Sequence, residues 1–91
     1  IFGHAGDGNL HPTIVHPHGD EAAAKRALDA FHAIVSAAQA RGGTATGEHG
    51  VGALKVDLVK NELSQEVRDL QRGIKNLFDP KGILNPGKKL A

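Results

Sequence analysis

Apolar residues recur along this chain at two spacings, and the change of spacing marks a change of element. From Glu21 to Arg41, the residues Leu28, Phe31, Ile34, Val35 and Ala38 fall three and four positions apart, with Lys25, Arg26, Asp29 and Gln39 mostly off their line. That is the rhythm of a helix with one apolar stripe. Asp20 stands where an N-cap acceptor belongs, and Glu21 where a first-turn acid is favoured. Gly42-Gly43 ends the segment, since glycine enters the left-handed C′ conformation without a Cβ clash. A second helix is expected over Ala53 to Leu63, with Leu54, Leu58 and Val59 as its face. A third follows the cap residue Ser64, with Val67, Leu70, Ile74, Leu77 and Phe78 on one side and Asp79-Pro80 as its stop. Ahead of the first helix the pattern differs. Ile1 to His4 and Leu10 to Val15 read as short strands around Asp7-Gly8-Asn9, a strong turn signal. Pro12 makes the second of these an edge or irregular strand. Thr44 to Thr46 is short and extended, Gly47 to Gly52 a glycine loop, and Ile83 to Lys88 an extended tail. The expected fold is a small α+β domain: one short antiparallel β-element, about three helices and that tail.

Composition narrows the class. Ninety-one residues make a single domain spanning 1–91, and Leu, Ile, Val and Phe supply 23 of them. That fraction exceeds the level of a disordered chain but builds only a modest core. The chain has no methionine and opens on Ile1-Phe2, so it reads as a piece of something longer. Its net charge of +1, with both signs interspersed, argues against a nucleic-acid-binding stripe. No cysteine is present, which removes disulfides and thiolate chemistry and fits a cytoplasmic setting. No apolar run approaches the ~20 residues of a membrane span.

The candidate chemistry lies in two glycine-rich stretches, Gly3 to Pro12 and Gly42 to Gly52. They hold His4, His11, Glu48 and His49. His4 and His11 are seven apart, which on one unbroken strand places them on opposite faces. The Gly6-Asp7-Gly8 interruption removes that constraint. Imidazole suits zinc and other first-row divalent ions, and a carboxylate is a natural third ligand. Glu48, in a glycine loop, is the best candidate for it. Two histidines and a carboxylate leave positions open, as in a catalytic site. Histidines satisfied in turns are the alternative reading of the same residues. His49, directly after Glu48, is placed to serve as a general base, or else merely packs in its loop. His16 and His18 read as a solvated loop pair and His32 as a helix-surface residue. Asp7-Gly8-Asn9 lacks the spaced carboxylates of a calcium loop. Gly82 to Lys88 fits G-x-x-x-x-G-K, but Lys89 follows where Ser or Thr is needed, and the helix a phosphate cradle requires is missing.

Three blocks, FGHAGDGNLHP (Phe2 to Pro12), GGTATGEHGVGALK (Gly42 to Lys55) and LFDPKGILNPGK (Leu77 to Lys88), together resemble the C-terminal part of FAD-linked oxidases of the vanillyl-alcohol oxidase type. Within that type they resemble the glycolate oxidase D subunit and the D-lactate and D-2-hydroxyglutarate dehydrogenases. The resemblance implies a truncated ferredoxin-like substrate domain, with the FAD-binding domain absent. It implies that His4, His11 and Glu48 bind a divalent metal, zinc above all. It implies that His49 takes the proton of a small 2-hydroxy acid while hydride leaves for the flavin, and that Asn85 returns the chain towards that flavin. Thr13 stands where the 2-hydroxyglutarate enzymes carry an asparagine, which favours a smaller acid such as glycolate or lactate. The expected partners are the 2-hydroxy acid, the FAD-binding domain of the parent and a second copy joined through an exposed sheet edge; partner subunits would supply any membrane association. By itself the chain is expected to be inactive. A metal-binding or assembly module without catalysis is the alternative, and a metal-dependent hydrolase with Glu48 as base a weaker one.

Overall fold

The computed structural model describes residues 1–90. It holds two strands, β1 (Phe2–His4) and β2 (Asn9–His11), and three helices, α1 (Glu21–Gln39), α2 (Val56–Lys60) and α3 (Gln65–Phe78). This is a small α+β fold. It divides into two compact units, Ile1–Glu48 and His49–Ala91.

In the first unit, β1 and β2 pair antiparallel in the register Phe2↔His11, Gly3↔Leu10, His4↔Asn9. The turn between them closes with the Gly8 N–H donating to His4 O at 3.0 Å, and with Gly8 at φ +74°. The Asp7 carboxylate accepts from Asn9 N–H at 2.9 Å, a side-chain turn of the kind aspartate favours. β2 is shorter than the expected Leu10 to Val15. Pro12 has no N–H to offer a ladder, and pairing stops one residue before it.

Helix α1 starts as expected. Asp20 caps it, its carboxylate accepting from Ala23 N–H at 2.9 Å. Its end is a paired C-terminal motif: Gly42 N–H donates to Gln39 O at 3.0 Å and Gly43 N–H to Ala38 O at 2.9 Å, with Gly42 at φ +81°. The covered side of α1 is not the expected stripe. It runs Ala23, Ala27, Phe31, Val35, Gln39, while Leu28, Ile34 and Ala38 are exposed. Small alanines carry the inward row at four-residue steps, and the larger residues flank it. Ala45, beyond the helix, is buried with Ala23 and Val35.

In the second unit the expected helix over Ala53 to Leu63 contracts to α2. Gly52 has φ +57° and Lys55 makes no side-chain cap, so turns replace helix before Val56. Leu58 and Val59 are buried as expected; Leu54 is exposed. In α3 the Ser64 hydroxyl accepts from Val67 N–H at 3.4 Å. The apolar period of α3 is as read, but its placement is inverted. Val67, Leu70, Ile74, Leu77 and Phe78 face solvent, and the covered side is the polar row Arg68, Gln71, Lys75, Asp79. The described residues after α3, 79–90, form no regular element. They turn repeatedly, with Gly82, Asn85, Gly87 and Lys89 at positive φ, and fold over that polar row. No helix among the described residues is long and apolar enough to cross a membrane.

Candidate metal centre

The parity problem of His4 and His11 disappears in the hairpin. In this register an even position on β1 opposes an odd position on β2. Opposed residues of an antiparallel pair point to the same face, as do residues two apart on one strand. Phe2, His4, Asn9 and His11 therefore share one face, and the odd spacing that separates two residues on one strand joins them across a turn. The Phe2 ring lies flat on the His11 imidazole, with centroids 5.0 Å apart and planes within 5°, and His4 meets His11 edge-on at 5.9 Å. Gly3, on the other face, has no room for a Cβ beside Asn9 O and Leu10 Cα.

The third member arrives from the loop after α1. Buried Ala45 ties this loop down, and Thr46 N–H donates to Thr44 Oγ1 at 3.2 Å. Glu48 Oε1 then stands 2.8 Å from His11 Nε2 and 3.6 Å from His4 Nε2. One donor atom from each of the three residues lies within 4.8 Å of the others. Ligands held at ~2.0–2.2 Å by one tetrahedral ion stand roughly 3–3.6 Å apart; the Glu48–His4 distance is of that size, the Glu48–His11 distance is shorter, and the donor set fits a divalent cation in its chemistry. The 2.8 Å approach of Glu48 Oε1 to His11 Nε2 is an ion-pair distance without the alignment of a hydrogen bond. His11 is largely covered, whereas Glu48 is half exposed and His4 more so, so the centre opens to solvent on one side.

The other candidates are placed as follows. His49 begins the second unit and is exposed; it is outside the three-residue donor set. Asn85 adopts φ +46°, a left-handed conformation that asparagine tolerates better than most residues. It lines an open cleft of about 300 Å³ with Ile74, Lys75, Leu84, Lys88 and Leu90 among its walls. His16 sits in an exposed loop, its Nδ1 3.2 Å from Pro17 O, and neither His16 nor His18 joins a donor cluster among the described residues. Two participants were missed in the sequence. Phe2 stacks on His11, and Asn9 faces Gly47, where a Cβ would overlap its Oδ1. The hairpin register alone reveals both, once the turn is placed at Ala5 to Gly8.

Comparison with known proteins gives this geometry a family. Residues 1–89 match the family described as FAD linked oxidases, C-terminal domain. The chain is 47% identical over 90 residues to glycolate oxidase subunit GlcD of Bacillus subtilis, covering 99% of this chain and 19% of that protein. It is 47% identical over 87 residues to the D-lactate dehydrogenase of Archaeoglobus fulgidus, covering 96% and 19%. It is 40% identical over 88 residues to the mitochondrial D-lactate dehydrogenase [cytochrome] of Arabidopsis thaliana, covering 97% and 16%. The chain thus spans about a fifth of the length of the curated relatives it matches. No solved structure matches it significantly. On the match over residues 1–89 and on these relatives, the chain belongs to the C-terminal domain family of FAD linked oxidases.

Proposed function

We propose that this chain is the substrate-handling part of an FAD-dependent oxidoreductase acting on a small 2-hydroxy acid, glycolate or D-lactate. The observation that carries the reading is the convergence of His4, His11 and Glu48 within 4.8 Å, in a chain whose relatives are glycolate oxidase subunits and D-lactate dehydrogenases. The three side chains hold a divalent ion, zinc being the best match to two imidazoles and a carboxylate. When bound, that ion supplies Lewis acidity at the substrate hydroxyl, and the FAD of the parent protein supplies the hydride acceptor. The rest falls to the chain's own side chains. The hairpin face and the Glu48 loop orient the hydroxy acid at the open side of the centre. His49 takes the hydroxyl proton on its imidazole as hydride leaves the α-carbon. Asn85 carries the C-terminal segment towards the flavin. The FAD-binding domain of the parent is the obligatory partner, and these residues alone turn over no substrate. A second copy is a further partner, because β1 and β2 have no other strand beside them among the described residues and bare edges pair.

The test is made on the flavoprotein that contains this chain, with D-lactate and glycolate as substrates and a dye as electron acceptor. The wild type oxidises at least one of them. His49→Ala lowers kcat by about 10²–10⁴, the usual contribution of a general base; unchanged kcat would remove His49 from the mechanism. Chelation abolishes turnover and added zinc restores it; a chelated enzyme of full activity would remove the ion. All three donors belong to one compact unit, Ile1–Glu48. That favours one second reading, a module that binds the ion without catalysis. A parent that binds zinc yet oxidises no 2-hydroxy acid would select it.

A further inference from the structure

The hairpin face that carries His4 and His11 has a third polar residue, and its position assigns it a task. Asn9 is the direct cross-strand partner of His4 and shares the face of both imidazoles. It contributes no donor atom to the His4–His11–Glu48 set. Its amide instead fills the space a side chain at residue 47 would need. A Cβ on Gly47 would overlap Asn9 Oδ1 and lie 3.2 Å from Asn9 Cγ.

Glycine at 47 therefore lets the loop lie against the Asn9 amide, which a Cβ would displace. Gly8, Gly19, Gly42, Gly50, Gly52, Gly82 and Gly87 have positive φ; Gly47 does not. Its φ lies outside the left-handed region that favours glycine. The atoms nearest to a side chain there belong to the Asn9 amide, which would have to turn aside to admit one. Glu48 is the next residue. Upstream, Ala45 is buried and Thr46 is tied to Thr44 by the turn bond. The chain is thus held on both sides of Thr46, at Ala45 and where Gly47 lies against Asn9, immediately before the carboxylate reaches His11.

We propose that Asn9 and Gly47 form a contact that positions Glu48 over the two imidazoles, Asn9 acting as the positioning residue and Gly47 as the surface it seats. This deepens the reading of His4, His11 and Glu48 as a cation site and rests on it. The physical advantage is preorganisation: a carboxylate on a free loop loses conformational freedom on binding an ion, whereas a seated one has lost it already.

The test uses the 91-residue chain and three variants, Asn9→Ala, Gly47→Ala and the two combined. In metal-free samples, the nuclear Overhauser effect between the Glu48 γ-protons and the His11 ring reports the contact, and that between the Phe2 and His11 rings shows that the hairpin is folded. The first is present in the wild type and lost in all three variants; the second is kept throughout. Zinc titration against a competing chelator gives the parallel readout. Each single variant weakens binding by about 10–100-fold, the effect of disturbing an outer-shell partner, and the double variant is no weaker than either, because both substitutions remove the same contact. Persistence of the Glu48–His11 effect in Asn9→Ala overturns the proposal. So does a double variant whose loss is the product of the two single losses. A wild-type chain that shows the effect but binds no zinc refutes the cation site and leaves the positioning contact standing.

Discussion

Asp79 is a carboxylate at 4% exposure, placed where the helix must stop. Lys75, one turn earlier, donates to it and also to Leu84 O at 2.8 Å. The N–H groups of Ile83 and Leu84 donate to its two oxygens at 3.1 and 3.0 Å. One side chain thus ties α3 to the turns that carry Asn85. The Lys75 hydrogen bond holds the Asp79 carboxyl below its ordinary value, against the opposing effect of burial, and the Leu84 and Ile83 N–H groups add to the lowering. A folded-state pKa below the unfolded one stabilises the charged form. The contribution is complete above the ordinary Asp value of about 3.9 and is lost as pH falls through the lower folded value. Urea melts from pH 6 to pH 2 should show stability falling below about pH 4, and Asp79→Asn should be less stable at pH 6 with a flatter acid limb. An acid limb of the same slope in both proteins would remove Asp79 from that role. Legibility at this scale was uneven. Asp79-Pro80 was readable as a stop, but the three donors converging on Asp79 come from residues four to five positions away through turns, and no periodicity reports them. For His4 and His11 the obstacle was a single unknown, the position of the turn. With it, register makes them neighbours; without it, a spacing of seven is ambiguous.

At the scale of the element, α1 has its boundaries written in side chains. Asp20 satisfies one orphan N–H at the start, and Gly42 turns the backbone into the left-handed region at the end. Each is separable from packing. Asp20→Ala should cost about 1 kcal/mol, the usual value of an N-cap, and Gly42→Ala about 1–2 kcal/mol for placing a Cβ at φ +81°. Denaturant midpoints measure both, and Asp20→Asn, which keeps a capping acceptor, should recover most of the first loss. Caps were legible because they act within four residues of themselves. Which face of α1 is covered was not. Period selects a rotation only when large and small residues differ consistently around the helix, and here the inward row begins with Ala23 and Ala27. Pro12 and Gly52 likewise shortened β2 and α2 by backbone rules that outweigh the apolar pattern.

At the scale of the whole molecule, the distribution of apolar surface decides which residues support the fold. Among the described residues the buried apolar side chains are Ala23, Val35 and Ala45 in the first unit and Leu58 and Val59 in the second. The strongest amphipathic segment contributes none of them. α3 turns Leu77 and Phe78 outward at 78% exposure each and covers its polar row with the turns that follow. The sequence pattern shows that an apolar face exists; it does not show whether the 91 residues themselves cover that face, because that depends on what packs there. The consequence is an inversion of the usual expectation for large apolar residues. Leu58→Ala removes buried methyl groups and should cost about 2–3 kcal/mol, towards the low end for a small, adaptable core. Leu77→Ala deletes the same atoms from solvent-exposed surface and should change stability by less than about 0.5 kcal/mol. Urea unfolding of the chain, followed by helical circular dichroism, measures the pair under one condition. Equal losses for the two leucines would mean that the α3 face is covered within these residues. A loss confined to Leu58 would mean that the apolar row of α3 does not support this fold.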